Sequence, residues 1–464
     1  MVAAAIVYSG GFIVGAVEPP KHSWGYRARE SARVAIRAPA QGRLGFAPPR
    51  LIAAAQARRL RAAVAHAQAH VPYYRETLGR LRLGPGDFTT AGDLARLPLI
   101  ERQQLQRDPE YFLSTAQPLA RHVRLQSGGT TGEPVTVFRD SRSVVEANIH
   151  AQRWRSVVSR AAGRWRLREA VVRPPQSSGG AFAAEFRRAV LLSPALRSDR
   201  HMLSLLDPPS THIATLERLR PDVIFSYGSY LEALFAHLAD RDYRGRLPAV
   251  VVYSADPLSA GARELIGTRF GVTVLSAYQS IESGQAAFEC QHHRGLHVNS
   301  DFCPVRIVDG DGRDAANGQE GDVVVSDLTN RATMLLNYRL GDVAARLPGR
   351  CPCGRRLPMI SFLAGRTVEW LKSAAGQPLH PQMVKMLLRT EAQVRRYQVV
   401  QPAPGQFDLA LVVAADCDRT PLASRLAEGF ATQLGPGTQT TVTFVEDLPR
   451  RPGGKVAPIV ALAD

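Results

Sequence analysis

The chain has 464 residues, 45% of them hydrophobic and 21% charged, with a formal net charge of +17. That length exceeds one compact core and predicts two or three domains of a folded globular protein, excluding a fibrous or largely disordered chain. The positive charge comes almost wholly from scattered arginines, which a GC-rich genome and an affinity for small anionic ligands explain about equally well; no nucleic-acid-binding motif accompanies it, so no nucleic-acid partner is expected.

The opening "MVAAAIVYSGGFIVGAVEPP" is mildly apolar but lacks a basic start and is broken by glycines, so residues 1–45 are read as a poorly defined leader. No run of about 18 apolar residues follows anywhere, so no membrane span is expected. Residues 51–82 are rich in Ala and Arg and predict helices on either side of Pro72. "LQSGGTTGEP", residues 125–134, sits between two hydrophobic runs. Its glycines and hydroxyls fit an ordinary turn, and equally a loop whose backbone N–H groups and hydroxyls cradle phosphate. It is not the usual nucleotide-hydrolase loop, because no Lys follows Gly132.

"DVIFSYG" (222–228), "AVVVYSA" (249–255) and "VTVLSAY" (272–278) read as strands, with the helical stretches "YLEALFAHLAD" and "SAGARELIGTRFG" between them. That alternation predicts βαβ units on a mainly parallel sheet, an α/β fold. "GDVVVSDL" and "TMLLNYRLGDVAARL" are β-rich. From about residue 366 the texture becomes a small α+β unit: a helix near 381–392, strands near 397–402 and 407–415, a second helix, then "TQTTVTFVEDLP". The predicted division is therefore a large domain over 46–364 and a small C-terminal one over 365–464.

After the glycine loop come "YSADPLS" (253–259), "AYQSIES" (277–283), "NYRLGDVA" (337–344), "GRTVEWLKSAAGQPLHP" (365–381) and "LPRRPGGKVA" (448–457), in that order. The order resembles the adenylate-forming superfamily of acyl-CoA synthetases and adenylation domains. "HVPYYRETL", "TTAGDLARLPLIERQQL" and "RPDVIFSYGSYLEALFAHL" narrow the resemblance to the phenylacetate–CoA ligase-like branch, over roughly residues 60 to 460. The resemblance implies a large domain and a mobile small one. The implied activity joins a carboxylate, aromatic by preference, to the α-phosphate of ATP, releases pyrophosphate, and transfers the acyl group to CoA.

On this resemblance, Ser127, Gly128, Gly129, Thr130, Thr131 and Gly132 hold the β- and γ-phosphates, with Thr130 also counted as catalytic. Ala255 and Asp256 lie at the nucleotide, and Tyr278 packs on the adenine. Glu282 helps hold Mg²⁺ against ATP oxygens. Asp342 accepts the ribose hydroxyls, Arg366 is the ribose and phosphate partner, and Lys455 reaches the α-phosphate and carboxylate. Three positions depart from the family pattern: Gln279 replaces a glycine, Ile281 a hydroxyl residue, and Val368 a charged one. The alternatives are a CoA-independent synthetase that hands the adenylate to an amine or a carrier protein, and a non-catalytic nucleotide-binding scaffold. A homodimer is a further option.

Five cysteines in so long a chain do not make a disulfide scaffold, which points to a reducing compartment, the cytoplasm. Cys290, His297, Cys351 and Cys353 make a Cys₃His set, a common tetrahedral zinc combination, and the resembling branch carries a similar pattern. With no acid–base partner beside it, the expected zinc is structural. His292, His293 and Cys303 are the alternative ligands, and Cys417 stands apart.

Overall fold

The computed structural model describes residues 22–126, 135–174, 177–191, 199–205, 207, 209–363, 371–379, 381–391, 393–413, 417–446, 448 and 459–460. Helices α1 (Trp24–Leu44), α2 (Pro49–His70), α3 (Pro72–Leu81) and the short α4 (Arg102–Arg107) come first. Pro72 opens α3, where its missing N–H costs nothing. Strands β1 (Val123–Gln126) and β2 (Thr136–Arg139) pair antiparallel, and helices α5 (Ser141–His150) and α6 (Gln152–Ala161) follow.

The chain then alternates as β3 (Arg168–Arg173), α7 (Ser178–Ala189), β4 (Asp199–Ser204) and α8 (Pro209–Leu219), none of them singled out from the sequence, and continues with the predicted β5 (Val223–Ser226), α9 (Gly228–Asp240), β6 (Val250–Tyr253), α10 (Ala260–Glu264) and β7 (Thr273–Ser280). A continuous apolar run such as Val250-Val251-Val252 is buried on both faces, as parallel strands between helices must be. The sheet continues through β8 (Gly284–Glu289), β9 (Leu296–Val298), β10 (Val305–Val308), β11 (Glu320–Val325), β12 (Tyr338–Leu347) and β13 (Met359–Ile360). Among the described residues its eleven strands run β10-β11-β12-β13-β9-β8-β7-β6-β5-β3-β4. The half from β4 to β7 is parallel, and every pairing beyond β7 is antiparallel.

A separate sheet forms the C-terminal unit. After the pair β14 (Leu371–Lys372) and β15 (Pro378–Leu379) come α11 (Pro381–Thr390), β16 (Val394–Ala403), β17 (Gln406–Val413), α12 (Arg419–Leu434), β18 (Gln439–Phe444) and β19 (Ile459–Val460). Four of these strands order as β18-β17-β16-β19 around their own core, which includes Val399, Phe407, Leu409 and Phe430. The expected boundary at 364–365 falls partly outside the described residues. No helix among them is long and apolar enough to cross a membrane.

Part of the stretch read as a leader is ordered. Helix α1 begins on a Ser23 cap that accepts from the Tyr26 N–H and packs across α5, α6 and α7. Its buried ties are polar: Arg37 pairs with Glu146 of α5, and Gln41 accepts from Arg153 of α6 at 3.0 and 3.1 Å. Tyr26, Val34 and Ala38 add apolar contacts with Val145 and Ile149 of α5 and Ala189 of α7. Beneath α1, Asp301 accepts from Arg153 (2.6 and 2.9 Å) and from Arg59 of α2 (2.6 Å). Burial alone would raise the Asp301 carboxyl, but the two guanidiniums outweigh it and hold the group well below the usual carboxylate range. A depressed carboxyl adds stability above its unfolded pKa, so this contribution is intact above about pH 4 and fades as pH falls below it. Asp301→Asn leaves two cations without their shared anion and should cost about 3–5 kcal/mol in urea denaturation at pH 7. A loss under about 1 kcal/mol would show that the cluster is solvated.

Candidate active site and a Cys₃His cluster

The end of β7 gathers residues from distant parts of the chain. Its pairing with β8 slips between Tyr278 and Gln279, and the strands reconnect through the turn Ile281-Glu282-Ser283 into Gly284, at φ +62°. The buried Tyr278 hydroxyl donates to Asp342 Oδ2 at 2.9 Å. Asp342 reaches it because β12 bulges: Arg339 faces Val324 and Val343 faces Asp322, so β12 carries two more residues than β11 across that span. Gly341, at φ +81°, lies inside the bulge, where a left-handed residue lets a strand re-aim its neighbour.

Glu282 lies beside this pair, 5% exposed. Burial raises its pKa and the Asp342 charge adds to the shift, while its own backbone N–H, Ser280 and the Arg102 cation oppose it. Such a carboxylate gains from a nearby cation. Its turn is held from below by Arg139 at the end of β2, which donates to the Ile281 carbonyl at 3.1 and 3.3 Å and forms a fully buried ion pair with Asp327 at 2.8 Å. The Ile281 side chain packs against the core, so the position where the family carries a hydroxyl turns its side chain inward here.

The "YSADPLS" loop sits at the end of β6. Ala255 takes φ +74°, a strained value for a residue with a Cβ. The Asp256 carboxylate accepts from Ser229 N–H and Oγ in the first turn of α9, a favourable place for an anion. Gly228 permits this contact, since a Cβ there would lie 2.2 Å from the Pro257 carbonyl oxygen. Gln279 Nε2 donates to Ser254 Oγ at 3.1 Å and joins the two loops. Thus Ala255, Asp256, Tyr278, Glu282 and Asp342 all lie at the ends or bulges of strands in one sheet. Ser127, Gly128, Gly129, Thr130, Thr131, Gly132, Arg366, Val368 and Lys455 lie outside the described residues. Arg139, Asp327 and Ser229 were missed by sequence reasoning, because their partners are distant in the chain and form no local motif.

The ligand atoms of Cys290, His297, Cys351 and Cys353 all lie within 4.8 Å of one another. Cys290 and Cys351 are 3.6 Å apart at sulfur, and Cys353 Sγ is 3.3 Å from His297 Nε2. Each cysteine loop is a tight turn: His293 N–H donates to the Cys290 carbonyl, and Gly354 N–H to that of Cys351. Gly295 must be glycine, because at φ +122° a Cβ would stand 2.5 Å from the Ile360 carbonyl oxygen. Of the alternative ligands, His293 pairs with Glu289 at 2.6 Å, His292 is exposed, and Cys303 lies in the main core. Burial, with Arg355 nearby, lowers the His297 pKa to about 4, so its ring is neutral at pH 7. Burial also raises the Cys290 thiol to about 12.

No family model matches the chain. It is 27% identical over 366 residues to the phenylacetate–coenzyme A ligase of Escherichia coli, covering 76% of this chain and 80% of that protein. It is 26% identical over 457 residues to the phenylacetate–coenzyme A ligase of Thermus thermophilus, covering 91% and 99%. Among solved structures, 2-hydroxyisobutyryl-CoA ligase in the postadenylation state superposes with a TM-score of 0.59 over 91% of each chain, at 17% identity. The shared fold and these relatives define an adenylate-forming ligase. Within that class the chain is similar to the phenylacetate–CoA ligase-like branch.

The Tyr278–Asp342 bond can be tested apart from catalysis. Tyr278→Phe keeps the ring and removes the donor, so urea denaturation should show a loss of about 0.5–1.5 kcal/mol. An unchanged midpoint would mean that the bond contributes nothing net.

Proposed function

We propose that this enzyme activates a carboxylic acid with ATP and passes the acyl group to CoA. The acid's carboxylate oxygen forms a bond to the α-phosphorus as the bond to pyrophosphate breaks. The CoA sulfur then bonds to the acyl carbon, releasing AMP and the thiol proton. The observation that carries this reading is the meeting of Tyr278, Glu282 and Asp342, three positions the superfamily uses for nucleotide and metal, at the end of β7. Tyr278 would offer its ring to the adenine, Asp342 its other carboxylate oxygen to the ribose, and Glu282 its carboxylate to Mg²⁺. The ion's contribution is charge neutralisation on the phosphates. Ser127 to Gly132 would donate to the outer phosphates. The relatives' name, phenylacetate–coenzyme A ligase, supports an aromatic acid.

The C-terminal sheet has its own core, which supports residues 365–464 as a domain that moves against 46–364. Such a rotation would carry Lys455 to the adenylating centre and Arg366 to the ribose. ATP–pyrophosphate exchange dependent on Mg²⁺ and on an aromatic acid is expected. Glu282→Gln should lower it roughly 10²-fold, a few kcal/mol of charge stabilisation. Absence of exchange across benzoic, phenylacetic and aliphatic acids would sink the proposal, and product with an amine but not with CoA would change the acceptor.

A structural zinc is part of the same reading. Zinc–sulfur bonds of about 2.3 Å in a tetrahedron set sulfurs about 3.8 Å apart, close to the 3.6 Å between Cys290 and Cys351. A neutral imidazole and thiols that ionise beside a cation are the right donors. Elemental analysis should find one zinc per chain, and Cys351→Ser should lower the melting temperature by roughly 5 °C or more with little change in the KM for ATP. Protein purified without chelator and free of zinc would remove the idea.

A further inference from the structure

A cavity of about 370 Å³ opens between α1, α2 and the loop carrying Leu357. It lies within the size range of small-ligand sites, roughly 300–1,000 Å³. None of the residues discussed above for nucleotide or metal lines it. Its walls are aliphatic: Ile36, Ala40 and Leu44 follow one another at single-turn spacing on α1 and face Leu51, Ile52 and Ala55 of α2. Three of these remain in water at the mouth, Ile36 at 76% exposure, Leu51 at 56% and Leu44 at 37%. Apolar side chains held at the rim of a concave site are those a ligand's apolar body would cover.

The floor and rim are cationic. Arg59 and Arg153 share the single carboxylate of Asp301, the only acid lining the cavity among the described residues. One positive charge in the floor is therefore uncompensated. Arg37 is balanced by Glu146, whereas Arg58, exposed on α2, has no ion pair or hydrogen bond among the described residues. His150 adds no charge, since burial and then the Arg153 and Arg59 guanidiniums push its pKa well below the usual value. An apolar pocket with a surplus of guanidinium selects an anion with an apolar body, and the preponderance of aliphatic wall disfavours a polyphosphate.

We propose that this cavity is a second ligand site that binds an apolar monocarboxylate, its body between α1 and α2 and its head on Arg58 and the floor guanidiniums. An aromatic acid of the kind the enzyme is proposed to activate and a fatty acid share this chemistry. Occupancy would clamp α1 to α2, since each wall belongs to one helix.

Calorimetric titration of the full chain with decanoate and, separately, with phenylacetate tests this. Decanoate should bind saturably at one site if the ligand is fatty-acid-like. Phenylacetate should show a second, ATP-independent site if it is aromatic. Ala55→Trp fills the cavity and Arg58→Glu inverts the rim charge. Each should weaken that binding tenfold or more, Arg58→Lys should keep most of it, and Ala55→Trp should leave ATP–pyrophosphate exchange unchanged. If Ala55→Trp fails to fold by circular dichroism, the surface variant Arg58→Glu decides alone. No saturable binding of either acid to the wild type, or binding that Arg58→Glu leaves intact, overturns the proposal.

Discussion

Strand β7 is hydrogen-bonded parallel to β6 on one side and antiparallel to β8 on the other, and the arrangement of the candidate site follows from that reversal. On the parallel side, β5, β6 and β7 run the same way, so the turns that leave them emerge at one edge. Crevices at the carboxyl ends of parallel strands are where open α/β sheets take ligands, because helix starts and free backbone groups collect there. On the antiparallel side the chain returns directly along β8, passes the Cys290 turn and β9, and comes back along β12 to present Asp342 to Tyr278 before it reaches Cys351 and Cys353. A fully parallel sheet would have needed a crossover after β7 and would have sent Glu282 into a helix instead of a tight turn.

The turn bearing Glu282 is fixed by charge buried elsewhere. Arg139 lies 1% exposed between the Ile281 carbonyl and Asp327, and Asp327 caps its own loop by accepting from Thr329 and Asn330. A buried ion pair is a weak source of net stability, since desolvation of both partners offsets most of the attraction. Its value lies in geometry: a guanidinium forked between a carbonyl and a carboxylate tolerates little displacement of either. The pair therefore locates the turn more than it stabilises the fold. Asp301, Arg59 and Arg153 do the same for the packing of α2 and α6.

Legibility in the sequence tracked locality. Strands β5, β6 and β7, helix α9 and, in the C-terminal unit, α11, β16, β17, α12 and β18 were readable, because period and turn chemistry are local signals, whereas the two-residue strands β14, β15 and β19 are too short to show a period. Tyr278, Glu282 and Asp342 were singled out through short stretches resembling a family and lie together in the fold, which also brings Cys290, His297, Cys351 and Cys353 together without His292, His293 or Cys303. Helix α1 was not legible, because Arg and Ala dominate it and its few apolar contacts, Tyr26, Val34 and Ala38, are interleaved with arginines that make hydrogen bonds and ion pairs. The Arg139–Asp327 pair was invisible for a related reason: each residue is unremarkable in its own neighbourhood. The β12 bulge could not be read either, since Gly341 marks a left-handed position only once the register beside it is known.

The cysteine turns also explain how so polar a helix as α1 is seated. Its C-terminal end meets the loop that follows Cys351 and Cys353: Arg356 N–H donates to the Gly45 carbonyl at 2.7 Å, and the Arg355 guanidinium lies 4.7 Å from the Phe46 ring centre. Gly45 and Gly354 keep these contacts close, with Leu357 and Phe46 as their respective neighbours. The loop is in turn tied to the sheet, because Met359 of β13 pairs with His297 of β9. Anything that fixes the four Cys and His side chains on one another thus fixes the ledge on which α1 ends and the Leu357 wall of the cavity beside it. The coupling runs through backbone hydrogen bonds and one stacked guanidinium, so a change at the cysteines reaches α1 without passing through the edge of the sheet where Tyr278 and Asp342 meet.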